Sequence, residues 1–514
     1  MRLLGRKKIY TNYRTIDRNN IIEVLKKSYS EHRQNAMEIQ YLIDFEKGVQ
    51  PLTRPKVVRL DINHEISDNA ANYVTEFKLG YFWANPPMLI QHGNKELHKS
   101  DADIDDIGIT SLNEMLKNGE GIGKKDLKLG DFVEKCGIGH RMVDIKTDFD
   151  EDYILWNSNG EFVGSLVNLY CLDSRYTFCV YYNGPGEPKV LSASFVKSGN
   201  RLLFTCFTDK QRFEIEKWEV KNEQINPLGK NPIVEYERSV DRMGCFERHI
   251  SDMCGLNDLV SDFANDSSQR TQEIWWGNDI DFDKDEKTGE YKKPKSGDWV
   301  LTYSSGNGGN LNPKIQPLSG TYDGTSAIQG ISYRWNRILQ KCKVPTQNDS
   351  TGGGSTGVAE DIASGWAAAE VDAQKEQTII EDSRREELNL ILRAISFVPE
   401  SILDSDNPIR KIHGMDVDIH FDRKQNVDLT VKSNFISTLI KCGFDGRHIV
   451  KQANLFNDPE QVWVDSRDGI KEFQKSQINS KNENKEEITS EDIINQISNS
   501  PHIDGTNTGK EQVT

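Results

Sequence analysis

The first residues that could do chemistry are the glycines and lysines of residues 119–125 (GEGIGKK), which resemble a phosphate-binding loop. Such a loop follows its lysine with a serine or threonine whose hydroxyl binds magnesium, but here Lys124 is followed by Lys125 and the first glycine is misplaced. His64 and Glu65 likewise lack the second histidine of a zinc-protease helix. These mismatches argue against an ATPase and against a zinc protease.

The aspartates that alternate over residues 279–285 form a second candidate, since they resemble the opening of an EF-hand calcium loop. Counted from Asp281, such a loop needs glycine at its sixth position and glutamate at its twelfth, where this chain has Glu286 and Lys292. A solvated hairpin that turns at residues 287–289 is the better interpretation. The sequence therefore specifies no catalytic centre, cofactor or metal site, and we predict a protein that is not an enzyme.

A basic stripe is the third candidate. Arg334, Arg337 and Lys341 are spaced so that they share one edge of a predicted helix, where they could face DNA phosphates. The alternative is the solvated face of an ordinary amphipathic helix. The sequence leaves both interpretations open.

The composition is acidic, with a formal net charge of −16 and a hydrophobic fraction of 36%. An acidic channel wall would repel phosphates and let DNA slide, but acidity also keeps a large protein in solution, so the charge decides nothing. No apolar run approaches the roughly 20 residues that span a bilayer, and no signal-peptide core follows the N-terminal charges, so we expect no membrane and a protein that stays in the cytoplasm where it is made. Free, mostly buried thiols are predicted for Cys136, Cys171, Cys179, Cys206, Cys245, Cys254, Cys342 and Cys442.

The N-terminal half divides into a helical part and a β-rich part. Apolar spacing predicts helices over residues 20–49, 66–80, 101–117 and 125–134. Between residues 139 and 237 the pattern changes to short β-branched and aromatic runs separated by turns, which is typical of a β meander. The predicted strands are residues 153–156, 166–170, 176–182, 202–205 and 213–220.

The C-terminal half begins with two predicted helices, 245–272 and 325–343, joined by a strand-and-turn insert. Residues 345–357 contain three successive glycines and predict a flexible loop. Helix formers from residue 358 to about 395 predict a rod on the order of 55 Å long. The remaining predictions are a strand at 416–421, helices at 433–442 and 446–454, and after about residue 471 a disordered tail with at most a short helix at 491–497.

The order of these parts resembles the portal family of tailed phages, specifically its siphophage-type group, from about residue 31 to residue 464. Each matching motif is weak alone, and their order is the specific signal. The motifs are residues 69–74 (NAANYV), 80–82 (GYF), 85–87 (NPP), 136–140 (CGIGH), 172–182 (LDSRYTFCVYY) and 231–235 (NPIVE).

The resemblance implies an α+β portal fold with an α/β wing, a two-helix stem, a small α/β clip, a flexible tunnel loop, a long spine helix and a short helical crown. The expected boundaries are 1–138 for the mainly helical part of the wing, 139–244 for the β-rich wing, 245–274 and 322–344 for the stem helices, 275–321 for the clip, 345–357 for the tunnel loop, 358–397 for the spine helix, 398–470 for the returning wing strand and crown helices, and 471–514 for a disordered tail.

The resemblance further implies a ring of usually twelve subunits at the unique capsid vertex, which conducts double-stranded DNA during packaging and ejection. The partners would be other copies of the chain, DNA, the large terminase subunit, a head–tail adaptor, and the major capsid and scaffolding proteins, in the virion and, during assembly, in the host cytoplasm. The stem stripe described above would face the channel. The implied tunnel-loop residues are Gln347, Asn348, Asp349, Ser350, Thr351, Gly352, Gly353, Gly354, Ser355 and Thr356, and the implied clip residues for partner docking are Trp275, Trp276, Trp299 and Tyr303.

The competing hypothesis is a metal-dependent DNA-processing enzyme of a phage packaging module, such as a nuclease or packaging ATPase, whose acidic residues hold magnesium. It predicts carboxylates that converge in one pocket and an activity that needs metal. The portal interpretation predicts a ring that is indifferent to metal. A third hypothesis, a capsid scaffold, predicts assembly without an axial channel.

Overall fold

The computed structural model describes residues 3–52, 62–91, 102–149, 153–158, 162–199, 201–271, 275–278, 314–317, 324–346, 365–421, 423 and 429–442, and the single positions 444, 449, 462, 463, 466 and 469. The chain forms two compact units, residues 1–424 and residues 425–514. All the elements described below belong to the first unit, except helix α8.

Helices and strands alternate in blocks along the chain, which confirms the predicted α+β fold class. The described α-helices are α1 (Ile21–Glu46), α2 (Ala70–Lys78), α3 (Ala102–Glu114), α4 (Ile122–Cys136), α5 (Ile250–Thr271), α6 (Gly324–Lys341), α7 (Trp366–Ser396) and α8 (Leu429–Lys441). The described strands are β1 (Ile9–Thr11), β2 (Met88–Gln91), β3 (Ile138–Ile145), β4 (Val167–Leu172), β5 (Thr177–Tyr182), β6 (Lys189–Ser198), β7 (Arg201–Phe207), β8 (Gln211–Glu216), β9 (Glu219–Ile225), β10 (Ile233–Glu237), β11 (Trp275–Asn278), β12 (Lys314–Pro317) and β13 (Val417–His420).

A six-stranded sheet with the order β1-β5-β6-β7-β8-β9 forms the β-rich part. Strands β5 to β9 are an antiparallel meander, and β1 adds a parallel edge strand beside β5. The first half of α1 packs on this sheet with Ile21 and Leu25, which are fully buried. Tyr29, one turn further on, meets the rings of Phe195 and Phe204 edge-on at 5.3 and 5.4 Å between centroids. These contacts bury the apolar stripe that predicted α1.

The strand predicted over residues 213–220 is wrong, because the structure divides it into β8 and β9. Lys217 and Trp218 form the turn between them, with φ values of 51° and 64°. Two positive φ angles in succession are the signature of the tight hairpin turn that suits twisted strands, and it is usually marked by Asn-Gly. Here the Trp218 ring packs on Phe204 at 5.4 Å, so burial of an aromatic side chain stabilises a turn without the usual residues.

A second core joins the sheet β10-β3-β4 and the pair β13-β2 to helices α3, α4 and α7. Helix α7 contributes a stripe that includes the buried Ile380 and Ile391. Gly139 lets β3 approach α4 closely, since a Cβ there would lie 2.8 Å from side-chain carbons of both Leu129 and Val133. The predicted strand at residues 416–421 is β13, which pairs antiparallel with β2.

Helices α5 and α6 pack against each other near α2, with the fully buried Phe246 leading into α5. An extended segment, residues 62–69, runs along α5, so the helix predicted over residues 66–80 begins only at Ala70 and ends as a π-helical turn. Two residues of extended chain advance about 6.6 Å, and four residues of helix advance about 6.0 Å. Because these lengths nearly match, every second N–H group of the extended segment reaches a side chain on the next turn of α5. The contacts run from His64 N to Asn265 Oδ1 (2.7 Å), from Ile66 N to Ser261 Oγ (3.0 Å) and from Asp68 N to Asn257 Oδ1 (3.0 Å).

Two other predictions differ from the structure. The strand predicted at residues 153–156 is reduced to one isolated bridge between Trp156 and Phe162. The backbone there turns because the Tyr153 hydroxyl binds both the carbonyl and the N–H of Ser165, at 2.6 and 2.7 Å. The helix predicted at residues 101–117 ends at Glu114 and continues as a π-helical turn.

The predicted long rod is α7, whose described 31 residues span about 46 Å. Its predicted beginning at residue 358 lies outside the described residues. In the second unit, α8 corresponds to the helix predicted at residues 433–442. The helix predicted at 446–454 and the tail from 471 fall almost wholly outside the described part of the chain.

A buried ionic cluster fixes α7 against β3 and α4. Arg141 is fully buried, and its Nη1 lies 2.8 Å from Asp126 Oδ1 and 3.1 Å from Glu387 Oε1. Arg384 of α7 also contacts Asp126, at 2.7 Å, and the Tyr236 hydroxyl donates to Glu387. Burial would raise the pKa of Glu387, but the two arginines outweigh it and hold that pKa below its ordinary value.

We expect Arg141→Met to lower the free energy of unfolding by about 3–5 kcal/mol, because it removes one of the two buried arginines that neutralise Asp126 and Glu387 and leaves that pair of carboxylates undercompensated. The matched control is Arg248→Met, since Arg248 and its partner Asp241 are both mostly exposed and such pairs contribute less than about 1 kcal/mol. Denaturant unfolding of both variants measures the difference. Equal, small losses in the two variants would contradict the structural role given to Arg141.

Candidate functional site: the base of the glycine-rich segment

The described residues on either side of 347–364 lie next to each other. A Cβ placed on Gly365 would lie 3.7 Å from the Cα of Pro345. Gly365 precedes α7 with φ 89°, a left-handed conformation that glycine adopts without strain. The chain therefore leaves α6 and enters α7 at neighbouring points. We call these two flanks, at Pro345 and Gly365, the base of the segment.

The α6 side of the base ends in a tight C-terminal turn. The N–H of Val344 donates to the carbonyl of Leu339 at 2.9 Å, and the N–H of Lys343 donates to that of Gln340 at 3.2 Å. Lys343 has φ 58°, which is unfavourable for a residue with a Cβ. Val344 and Cys342 are buried on either side of it and hold the turn in place.

Lys78, the last residue of α2, contacts both sides of the base. Its Nζ donates to the carbonyl of Lys343 at 3.3 Å and to Oδ2 of Asp372, in α7, at 2.9 Å. The Lys78 side chain is only 5% exposed, so both contacts form in a poorly solvated environment where charge attraction is strong.

Three aromatic rings cover the α7 side of the base. Phe77 stacks on Tyr81 with 5.7 Å between centroids, and Trp366 lies 5.9 Å from each of them. The Tyr81 hydroxyl donates to Glu370 Oε2 at 2.6 Å. Burial and this hydrogen bond raise the pKa of Tyr81, so the hydroxyl remains a donor.

Arg238, which follows β10, ties the base to the rest of the unit. Its Nε donates to Glu134 Oε2 at 2.8 Å, and its Nη2 lies 3.1 Å from Asp372 Oδ2 and 3.5 Å from Glu376 Oε2. The Trp83 indole also donates to Glu134, at 3.2 Å. One arginine thus joins α4, β10 and α7.

The pKa values of two buried carboxylates near Arg238, those of Asp372 and Glu376, are shifted in opposite directions. Burial would raise the pKa of Asp372, but Lys78 and Arg238 outweigh it and hold the pKa below its ordinary value. Burial, and after it repulsion from Glu134, raise the pKa of Glu376 well above its ordinary value. Arg238 Nη2 lies 3.5 Å from Glu376 and does not offset this burial and repulsion, so Glu376 keeps its proton at a pH where an ordinary glutamate has lost it.

The basic stripe predicted on α6 lies at the edge that faces α5. Lys341 Nζ binds Asp252 Oδ2 at 2.6 Å. Arg334 is exposed, but its guanidinium reaches over α5, where a Cβ on Gly255 would lie 2.9 Å from it. Arg337 is exposed as well. The three residues do share an edge, and contact with DNA stays a prediction.

The remaining predicted site residues are placed only in part. Trp275 and Trp276 belong to β11, whose backbone pairs antiparallel with β12. Trp299, Tyr303 and the tunnel-loop residues 347–356 lie outside the described residues, as do the alternating aspartates.

One group of side chains in the described residues has the composition of a metal site. His140, Cys179 and Glu235 are buried, with ligand atoms within 4.8 Å of one another. Arg242 already binds both carboxylate oxygens of Glu235, at 2.7 and 3.0 Å, and the Tyr181 hydroxyl donates to it at 2.5 Å. Burial raises the pKa of Cys179 to about 12, which keeps the thiol protonated. The cluster fits an arginine-bound carboxylate better than a metal ion.

The described residues thus define a chain of mixed helices and sheets, organised around a helix pair, a long helix and the anchored base of a glycine-rich segment. Residues 24–490 match the family described as phage portal protein, SPP1 Gp6-like, and the chain belongs to this family. The predicted family and fold class are confirmed.

Other comparisons are more distant. A solved structure described as the neck of an empty GTA particle computed with C6 symmetry is similar to this chain at 12% identity, over 77% of this chain and 92% of that one, with a TM-score of 0.34. No curated protein matches the chain. Among the described helices, none is both long and apolar enough to cross a bilayer.

The base itself was missed by sequence reasoning. Lys78, Arg238 and Asp372 are far apart in sequence, and no spacing rule joins them. A signal existed in α7, where Glu376 follows the buried Ala369 and Ala373 at helical spacing, so that a charged residue occupies a position of the buried stripe.

We expect Glu376→Gln to stabilise the protein at pH 8 by on the order of 1 kcal/mol or more. The folded state holds a proton on Glu376 that the unfolded state releases above about pH 4.5, so stability falls as pH rises from there until the folded pKa is reached. Glutamine keeps the shape and the donor without this penalty.

Thermal unfolding between pH 4.5 and pH 8 measures the effect, and the gain should shrink towards the acidic end. Glu381→Gln, on the same helix but half-exposed, is the control and should show no such gain. A Glu376→Gln variant no more stable than the wild type at pH 8 would refute the assignment of the proton.

Proposed function

We propose that the chain is one subunit of a portal ring at a single capsid vertex, through which double-stranded DNA is packaged and later ejected. Membership of the phage portal family over residues 24–490 is the observation that carries this proposal. The closed base of residues 347–364 supports it, because a glycine-rich segment held at both ends can follow a moving DNA helix while the subunit keeps its place.

In this proposal the tunnel loop, Gln347–Thr356, contacts DNA in the channel. The exposed Arg334 and Arg337 of α6 would add positive charge to a channel wall whose remaining surface, in this proposal, is acidic. A few phosphate contacts on a repelling wall hold DNA only weakly. Weak contact is what a conduit for sliding DNA requires.

The other parts take the roles of the portal architecture. Helices α5 and α6 form the stem, β11 and β12 belong to the clip, α7 is the spine, and the sheets with α1 to α4 form the wing. We assign terminase and head–tail adaptor docking to the clip, and contact with capsid and scaffolding proteins to the wing. ATP is then hydrolysed by the terminase partner during packaging in the host cytoplasm. The ring stays in the virion afterwards.

The rival enzyme hypothesis needs carboxylates that converge on an accessible pocket. In the described part of the chain, Asp126, Glu134, Glu235 and Glu387 are buried, and each contacts an arginine side chain. Such pairing suits a structural role. It supports the proposal of a conduit that is not an enzyme.

Negative-stain imaging with light scattering tests the ring. We expect particles with a central hole and a mass near twelve subunits, with or without EDTA. A stable monomer, even with scaffolding protein, combined with magnesium-dependent cleavage of DNA or hydrolysis of ATP, would favour the enzyme instead.

Deletion of Gly352–Gly354 tests the loop. The shortened segment should still allow rings but reduce the yield of nuclease-protected DNA in a packaging assay by about tenfold or more, because its reach into the channel is reduced. Replacing the same three glycines by serine keeps the length and serves as the control. Normal packaging by the deletion variant would argue against a DNA-facing loop.

A further inference from the structure

We propose that Lys78 is a positioning residue that locks the two ends of residues 347–364 together, so that the segment is presented from a fixed base. This inference rests on the proposed function, in which the segment has to reach DNA from a fixed position on the subunit. It stands on the contacts of one ammonium group with two elements that flank the segment.

The first contact holds the turn that follows α6. The carbonyls of Leu339 and Gln340 at the end of the helix already accept from N–H groups of this turn, and a cation near that end interacts favourably with the helix dipole. Lys343, two residues after α6, adopts a left-handed conformation, and its carbonyl accepts from Lys78 Nζ. The buried ammonium therefore stabilises a turn that would be unfavourable by itself.

The second contact reaches the other flank. Asp372 lies in the second turn of α7, and its Oδ2 accepts from Lys78 and also from Arg238. Arg238 is in turn bound to Glu134 of α4. Asp372 thus stays attached to the wing when Lys78 is removed, whereas the Lys343 carbonyl accepts from no second donor within the described residues.

This asymmetry separates positioning from general stability. Loss of the Lys78 ammonium should release the end of α6 and leave the start of α7 in place. Unspecific destabilisation would loosen both flanks alike. The aromatic cluster does not change this expectation, because Lys78→Met leaves the packing of Trp366 on Phe77 and Tyr81 in place.

The chain offers a matched control in Lys189. Its Nζ also bridges a backbone carbonyl, that of Ile233 at 2.6 Å, and a carboxylate of α7, that of Glu386 at 2.6 Å. Its side chain is 11% exposed, close to the burial of Lys78. Lys189→Met therefore removes the same kind of bridge at a distance from the base.

Hydrogen exchange on the full-length protein tests the proposal, with Lys78→Met and Lys189→Met measured side by side. We expect Lys78→Met to speed exchange in residues 338–346 by about tenfold, the order expected for loss of one charged hydrogen bond, and to leave residues 366–376 unchanged. The yield of packaged DNA should also fall in Lys78→Met. Lys189→Met should change neither the exchange rates of these two flanks nor DNA packaging. Faster exchange in both flanks, or in neither, would overturn the proposal.

If Lys78→Met does not fold, Asp372→Asn tests the same lock from the other side. It should speed exchange at the start of α7 and leave residues 338–346 protected by the remaining Lys78 contact; the opposite pattern overturns the proposal. Failure of the proposed function is distinct, since the wild-type protein would then form no ring and package no DNA.

Discussion

The structure depends on the constraint that a charge buried in a protein must be partnered. Helix α7 carries the charged Arg384 and Glu387 and the protonated Glu376 on its buried face, and none of these polar groups can leave water without a partner. The partners lie on β3, β10 and α4, with Arg141 and Arg238 at the centres of the two clusters. Apolar packing alone tolerates sliding of a helix, whereas these pairs are satisfied in a single register.

The register of α7 in turn fixes where the segment 347–364 begins and ends. Because α7 is held by Arg238, its first turns meet Lys78 and the rings of Phe77 and Tyr81, and α6 ends against the same surface. In the function proposed above, each subunit has to hold a rigid body in a ring while one part touches DNA. A segment anchored at both ends on a cross-linked core meets both requirements.

The sequence predicted those helices and strands that show a regular spacing of apolar residues. The stripes of α1, α5 and α6 and the alternation of β13 predicted these elements, because each buries one face. It could not predict features that depend on distant partners, such as the extended residues 62–69, which are bound by side chains of α5, or the hairpin at Lys217 and Trp218, which is stabilised by ring packing. The base was missed for the same reason, although Glu376 marked it.

In the proposed function, this chain forms a ring whose channel is faced by a segment with a fixed base. Electron cryomicroscopy of the assembled wild-type ring tests it most directly. We predict that Pro345 and Gly365 lie together on the channel side of each subunit, with residues 347–364 directed towards the axis. A ring with that base on its outer surface, or no ring at all, would contradict it.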